Sequence, residues 1–356
     1  MGFVVSGLRA GIVKFVKKVH IAIILDAGEY SIRTKIIGQN GVKVENKVFS
    51  FVGDKMPPVM IKYLSSIQKK YSHVYISTLL STINAGAING CSEAEYKKMH
   101  IETDSIVKVC IDDKWSAYSS MYAIEELKDF FGETGIDYIF PYEIVIDYLL
   151  KNNRPTEQNI YIINTCTYAI ISIFSPNGLL YSAHFIYKED EDIATQVESE
   201  SLEEMNNIVQ KSEKDNEVFE FEDASTDVFS DDLDDLDSFG DIENPQLDDV
   251  NMSSSEVVDE QKDNELANIE DDIFFAKKDQ LLSEFVHNSI EDFYKSSFYK
   301  SEFIKKAKIY NACTSDNSGR ILSKYIKEEL FLECELEQIN LCDILCEISI
   351  LESQAV

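Results

Sequence analysis

Apolar and polar positions alternate through residues 20–51. "HIAIILDAG", "SIRTKIIGQ" and "GVKVENKVFSF" read as three strands joined by tight turns, with Asn40-Gly41 as a hairpin signal. The period then lengthens. "MPPVMIKYLSSIQKKY" reads as a helix with prolines at its start, and "HVYISTLL" as a strand. "MYAIEELKDFFGE" is a helix that Gly132 stops, and "PYEIVIDYLLKNN" is another. "QNIYIINTCTYAIISIFSPNGLLYSAHF" supplies three more strands, with Pro176-Asn177-Gly178 as a turn. After residue 272, "KDQLLSEFVHNSIEDFYKSSFY" has helical spacing. "FIKKAKIYNACTSDNSGRILSKYIKEELFLECELEQIN" then reads strand, polar loop, helix, strand.

The formal net charge of −31 argues against a nucleic-acid-binding surface. It is concentrated: residues 189–272 hold 32 Asp and Glu against 3 Lys, which leaves the remainder close to neutral. A stretch such as "SDDLDDLDSFGDIENPQLDD" cannot bury enough apolar surface to offset chain entropy and self-repulsion, so residues 188–272 are expected to be an acidic disordered insertion. Phe219, Phe221, Phe229, Leu233, Leu236 and Phe239 are dotted through it, a pattern that suits short motifs folding on a basic partner as well as a solvated spacer. A calcium loop around Asp235–Gly240 fails, because Phe239 takes a ligand position and Gln246 the bidentate glutamate position.

The expected domains are a basic N-terminal extension over 1–18, a first half over 19–155, and a second half formed by 156–187 and 273–356. No apolar run approaches the roughly 20 residues of a membrane helix. The seven cysteines include no C-x-x-C pair and no histidine at metal spacing, so they are expected to be reduced, with Cys342 and Cys346 on one helix face. His184 reads as a strand residue and Trp115 as a packing residue.

The chemistry-bearing stretch is "LDAGEYSIR". A phosphate-binding hairpin needs an acidic residue to hold a magnesium-water cluster and a glycine to let backbone approach phosphate. Asp26, Gly28 and the Ser31 hydroxyl meet that need. Asp-x-Gly also begins aspartic-protease loops, but those require Ser or Thr where this chain has Ala27, and a second such loop is missing.

The order of motifs carries a resemblance. An Asp-x-Gly hairpin, then helices, then the hairpin "IYIINTCTYAIISIFSPNGLLYSAHF", then the strand-loop-helix "AKIYNACTSDNSGRILSKYIKEEL" resembles the actin-like ATPase fold. Within it the chain looks most like PilM, the actin-like protein of type IV pilus assembly, and is similar to the cytoplasmic half of GspL-type secretion proteins. The resemblance covers roughly 19–187 and 275–345 and implies an α/β fold of two RNase H-like halves interrupted by the acidic insertion. In the first motif Arg33 stands where the family has Lys. The second motif, normally Asp-x-Gly, is Asn164-Thr165-Cys166, which lacks the magnesium-facing carboxylate and the glycine. The third, normally Gly-Gly, is Asn311-Ala312-Cys313-Thr314, whose side chains would crowd adenosine.

The resemblance therefore implies a vestigial phosphate hairpin (Asp26, Gly28, Ser31, Arg33), a degenerate second phosphate motif (Asn164, Cys166) and a degenerate adenosine motif (Asn311, Thr314). The expected cofactor is none, or weakly bound ATP with magnesium, and no catalytic or metal-binding residue is assigned. The implied function is a non-catalytic scaffold, cytoplasmic and peripheral at the inner membrane, that binds the short tail of a PilN-like single-pass membrane protein. Type IV pilus, type II secretion and flagellar-motor machines all fit. An active ATPase or kinase of the same fold, and a hub working through residues 189–272, are the alternatives.

Overall fold

The computed structural model describes residues 17–39, 41–50, 55–82, 84–187, 259–313, 315 and 317–355, with side chains from residue 273 onward in the helix that begins at Asp259. Thr314, Asn40, the N-terminal extension up to residue 16 and the acidic stretch 188–258 lie outside the described residues.

Two five-stranded sheets repeat one plan. The first contains β1 (Lys18–Asp26), β2 (Glu29–Gly38), β3 (Gly41–Ser50), β4 (His73–Leu79) and β8 (Tyr138–Phe140), in the order β3-β2-β1-β4-β8. The second contains β9 (Asn159–Asn164), β10 (Tyr168–Ser175), β11 (Gly178–Ile186), β12 (Lys306–Asn311) and β13 (Glu333–Gln338), in the order β11-β10-β9-β12-β13. In each, three strands form an antiparallel meander and two more add in parallel beside the first. This duplication is the actin-like architecture expected from the motif order. It puts Asp26 and Asn164 at equivalent points, each ending the first strand of its sheet.

Helices complete three apolar layers. Helix α1 (Pro58–Lys70) starts at the expected prolines and covers the outer face of the first sheet through Met60, Leu64 and Ile67. Helix α5 (Asp259–Lys295) and α6 (Arg320–Glu328) cover the second sheet, with Leu282, Val286, Phe293, Leu322 and Ile326 buried against its isoleucines. Helix α5 begins inside the stretch read from sequence as disordered. Between the sheets lie α4 (Tyr142–Leu150) and α7 (Leu341–Ala355).

A short helix α2 (Glu93–Lys98), a small sheet of β5 (Ala85–Asn89), β6 (Ile106–Ile111) and β7 (Trp115–Ser120), and helix α3 (Met121–Phe131) fill the span between β4 and β8. Gly132 ends α3, as its position predicts. The small sheet was not legible: its strands are short, and β5 and β7 carry Gly86, Ser116 and Ser119 in place of an apolar alternation. Trp115 is a packing residue, buried against Phe174.

The C-terminal helix α7 crosses back to the first sheet. Cys342 and Cys346 do share a face, and their thiols point at the carbonyls of Ser31, His20 and Arg33. Burial raises these thiols to about 12 and about 11, which keeps them protonated and unreactive. Arg33 pairs with Asp343 at 2.6 Å, and Lys35 with Asp343 and Glu347 at 2.7 Å each. His20, fully buried in β1, meets Ser349 through Nδ1 at 2.8 Å and stacks on Tyr75. Burial lowers His20 to about 4, with the Lys18 charge adding to the effect.

A histidine lowered in the folded state contributes stability at pH above its unfolded value, and that stability is lost as pH falls through 6.5 towards 4. Comparing urea midpoints of the wild type and His20→Gln should show the wild type losing about 2 kcal/mol relative to the variant between pH 7.5 and pH 5. Parallel curves would remove His20 as the cause of acid sensitivity.

Candidate functional site

The β1–β2 turn is two residues, Ala27 and Gly28, with φ of 50° and 75°. Positive φ at both positions is the primed hairpin turn, which glycine enters without strain. The turn itself therefore requires Gly28. It presents Asp26 to the corresponding turn of the second sheet.

There the carboxylate is fully engaged. Asp26 Oδ1 accepts from Thr165 Oγ1 at 3.1 Å, Thr167 N at 2.9 Å and Thr167 Oγ1 at 2.7 Å, and Oδ2 accepts from Cys166 N at 2.7 Å. Two consecutive backbone amides with flanking hydroxyls form an anion-binding nest. Its anion is a side chain of the same protein. Thr165 is held in turn, because its Oγ1 accepts from Tyr168 N at 3.0 Å.

Behind the turn sits a second charge. Lys278, on α5 and fully buried, donates through Nζ to Asn164 Oδ1 at 2.5 Å and to the Thr165 carbonyl. Burial lowers Lys278 to about 8, opposed by the nearby Asp279 and Asp26. The adjacent Asp279 faces another way. Its oxygens accept from the amides of Gly319, Ile321 and Leu322 at 3.0, 3.0 and 3.3 Å, so it caps the start of α6. Gly319 has φ of 82°, and a Cβ there would stand 3.2 Å from Leu336, so only glycine suits the position.

Asn164 is fully buried and donates from Nδ2 to Asn311 Oδ1 at 3.2 Å and Ser318 Oγ at 3.1 Å. Asn311 donates to Gln338 Oε1 at 2.9 Å, and Gln338 to the Cys313 carbonyl at 2.7 Å. A disulfide joins Cys166 to Cys313, and another joins Cys91 to Cys110. This corrects the expectation of reduced cysteines. The partners lie 147 and 19 residues apart in sequence, and only the fold brings their Cα atoms to 5.0 and 5.4 Å. Cys334, Cys342 and Cys346 stay free.

The structure therefore gathers Asp26, Asn164, Cys166 and Asn311 in one place. Arg33 is drawn away from it to Asp343 on α7, and at Ser31 the backbone carbonyl receives the Cys342 thiol. Thr314 lies outside the described residues. The motifs did not point to Thr165, Thr167, Ser318 or Lys278. For Lys278 one signal existed. In α5 the buried stripe runs Phe275, Leu282, Val286 and Phe293, and the charged pair Lys278-Asp279 interrupts it on the buried side.

These residues do not fit a magnesium nucleotide. The carboxylate that would hold the metal's water shell takes four hydrogen bonds from the chain. The turn amides that would face phosphate point at that carboxylate, and an ammonium fills the acceptors of Asn164 and Thr165. Two shallow surface depressions lie elsewhere, one of about 310 Å³ beside Lys17, Gly38 and Val42, the other of about 290 Å³ beside His287 and Tyr325.

A buried ion pair adjoins the site. Glu143 Oε1 accepts from Ser182 Oγ at 2.6 Å and lies 2.8 Å from His184 Nε2. His184 Nδ1 meets the Tyr168 hydroxyl at 2.7 Å, and that hydroxyl donates to the Thr82 carbonyl at 3.1 Å. Burial pushes Glu143 up and His184 down, but their mutual attraction and hydrogen bonds reverse both: Glu143 ends below its ordinary value and His184 above. His184 is thus a strand residue, spent on holding β11 to α4.

Two measurements check this arrangement. Asp26→Ala leaves two amides and two hydroxyls without an acceptor and should cost about 2–4 kcal/mol in urea unfolding. A loss below about 0.5 kcal/mol would place the four contacts among incidental surface bonds. Thiol titration of the denatured, unreduced protein should count the three free cysteines, and the full seven only after reduction.

The family model described as "Domain of unknown function (DUF8341)" matches residues 160–354, and that described as "Domain of unknown function (DUF8569)" matches residues 15–145. No curated protein matches. Similar solved structures include a Bacteroides thetaiotaomicron protein with an actin-like ATPase fold and unknown function, at 8% identity and TM-score 0.43, covering 94% of this chain and 96% of that one. The PilM-PilN type IV pilus biogenesis complex is similar at 8% identity and TM-score 0.45, covering 91% and 89%. The ethanolamine utilization protein EutJ from Carboxydothermus hydrogenoformans is similar at 9% identity and TM-score 0.40, covering 93% and 89%. The DUF8341 match alone takes in more than half of the sequence, and it spans the second sheet, its helices and the crossing helix α7: the chain belongs to the DUF8341 family.

Proposed function

We propose that this protein is a non-catalytic scaffold whose actin-like cleft is closed by its own side chains, and that it binds the short cytoplasmic tail of a single-pass inner-membrane protein. One observation carries the first half. The Asp26 carboxylate occupies the nest of Cys166 and Thr167 amides where a nucleotide phosphate would have to sit. A phosphate entering there must break four hydrogen bonds and leave a partly buried carboxylate beside it, a like-charge contact. Hydrolysis also needs a positioned base or metal-holding carboxylate. Asp26 is committed elsewhere, and Asn164 carries no charge.

The partner half rests on the sequence resemblance. Among the described residues no helix is long and apolar enough to cross a membrane. The machine served would be a type IV pilus, a type II secretion system or a flagellar motor. Placement on the cytoplasmic side follows from the resemblance alone. The two disulfides run against it, because such bonds are rare in reducing compartments.

Calorimetric titration of the wild type with magnesium-ATP to about 1 mM should show no saturable binding. Micromolar binding by the wild type, lost in Asp26→Ala, would overturn the closed-cleft reading. Affinity purification from gently solubilised cells should recover a single-pass membrane protein with a short cytoplasmic tail. Recovery of the protein alone, or only with soluble enzymes, would overturn the tail-binding half.

A further inference from the structure

Strand β3 is the outer strand of the first sheet, paired on one side with β2 and, among the described residues, with no strand on the other. Open sheet edges are usually blunted by charge, proline or a bulge, because they template pairing with another chain. This edge is ten residues long, its register to β2 is continuous, and it contains no proline. Its even positions carry Val42, Val44 and Val48, which are 59%, 42% and 60% exposed. They share a face of the sheet with Arg33 and Lys35, the residues that grip α7, and so lie as an uncovered apolar strip on that face. The odd positions carry Lys43, Glu45, Lys47 and Phe49 on the α1 side, where Phe49 and Lys47 lean on Tyr63.

The backbone alternation agrees with an open edge. Two residues separate the Gly38–Gly41 pair that closes the β2–β3 hairpin. Counting from that closing pair, the odd residues turn their N–H and C=O towards β2, and Val42, Val44, Asn46 and Val48 turn theirs outward.

The strand is also complementary to itself. Laid antiparallel against a second β3 about a two-fold axis through Asn46, Glu45 faces Lys47 twice and Val44 faces Val48 twice. Val42 then faces Ser50, and Lys43 faces Phe49. The outward backbone groups fall opposite one another in the hydrogen-bonded positions. The Glu45 and Lys47 side chains fall in the non-hydrogen-bonded positions, where opposing residues approach most closely. A two-fold axis perpendicular to the sheet keeps each face on its own side, so the valines of both copies merge into one strip. Other registers are poorer. Centring on Glu45 sets Lys43 against Lys47; centring on Val44 keeps Lys43 opposite Glu45 but sets Val42 against Asn46 and runs out at the hairpin turn. Within one chain Glu45 already pairs with Lys43 at 2.7 Å, an exposed contact that a second lysine reinforces.

We propose that two copies of this chain associate edge to edge through β3, antiparallel about Asn46, joining their first sheets into one continuous ten-stranded sheet. The pairing is isologous, as a closed dimer requires. It leaves the cleft between the two sheets of each copy untouched, so it stands or falls apart from the scaffold reading.

Sedimentation velocity on the full chain tests it with charge reversals on the exposed edge. The wild type should sediment as a concentration-dependent dimer. Glu45→Lys sets lysine against lysine at both contacts and Lys47→Glu sets glutamate against glutamate, so each variant alone should dissociate about tenfold more readily or worse. An equimolar mixture of the two variants restores opposite charges at both contacts and should recover wild-type association. That rescue requires both variants to be folded. A wild type that stays monomeric at about 100 μM would overturn the proposal. So would a dimer indifferent to both reversals, or two weakened variants that fail to rescue each other.

Discussion

Everything around the cleft depends on how the Asp26 carboxylate is satisfied. A carboxylate at the tip of a hairpin, partly out of water, needs donors, and four come from one turn of the other sheet. That turn is fixed at every residue. Thr165 also anchors Tyr168, its carbonyl receives Lys278, Cys166 is bonded to Cys313, and the Thr167 carbonyl accepts from Tyr187 N at 2.7 Å. The two halves of the duplicated fold are thus joined where the turns of their first hairpins meet. Charge-assisted bonds to consecutive amides are among the stronger polar contacts a protein makes. Here they serve cohesion.

Helix α5 extends the same economy of charge. Neighbouring side chains on one helix normally point about 100° apart. Lys278 and Asp279 use that divergence to address two different places, the end of β9 and the start of α6. Neither is left as an unpaired buried charge, which would cost several kcal/mol. The lysine sets a positive charge behind the turn that receives Asp26. The aspartate substitutes for the local side-chain cap that α6 lacks, its flanking residue being Gly319.

Much of this architecture could be read from the chain before any coordinates. The alternation in β1 to β3, the proline at the start of α1, Gly132 after α3 and the order of hairpins are local signals, and local signals survive in sequence. Asp26 was visible as a match to the hairpin pattern, and Asn164, Cys166 and Asn311 as departures from the later motifs. What they became was not, because each meaning is supplied from far away. Cys166 is explained by a residue 147 positions later, Asn164 by Lys278, and Arg33 by Asp343. The small sheet was missed for another reason: the alanines, serines and glycine of β5 and β7 pack without the apolar periodicity that announces a strand, which leaves the six residues of β6 isolated.

The Cys166–Cys313 bond has a topological consequence. It closes a covalent ring that begins at the tip of the second hairpin, includes the whole acidic stretch, and returns through α5 and β12. Tying ends this far apart removes about 5 kcal/mol worth of freedom from the unfolded chain on the simple entropic view. A ring also tolerates being opened once. A protease that cuts within the acidic stretch leaves two polypeptides that remain one molecule, with both sheets joined, until the disulfide is reduced. The long polar segment can therefore be nicked, or vary in length, without the folded body coming apart.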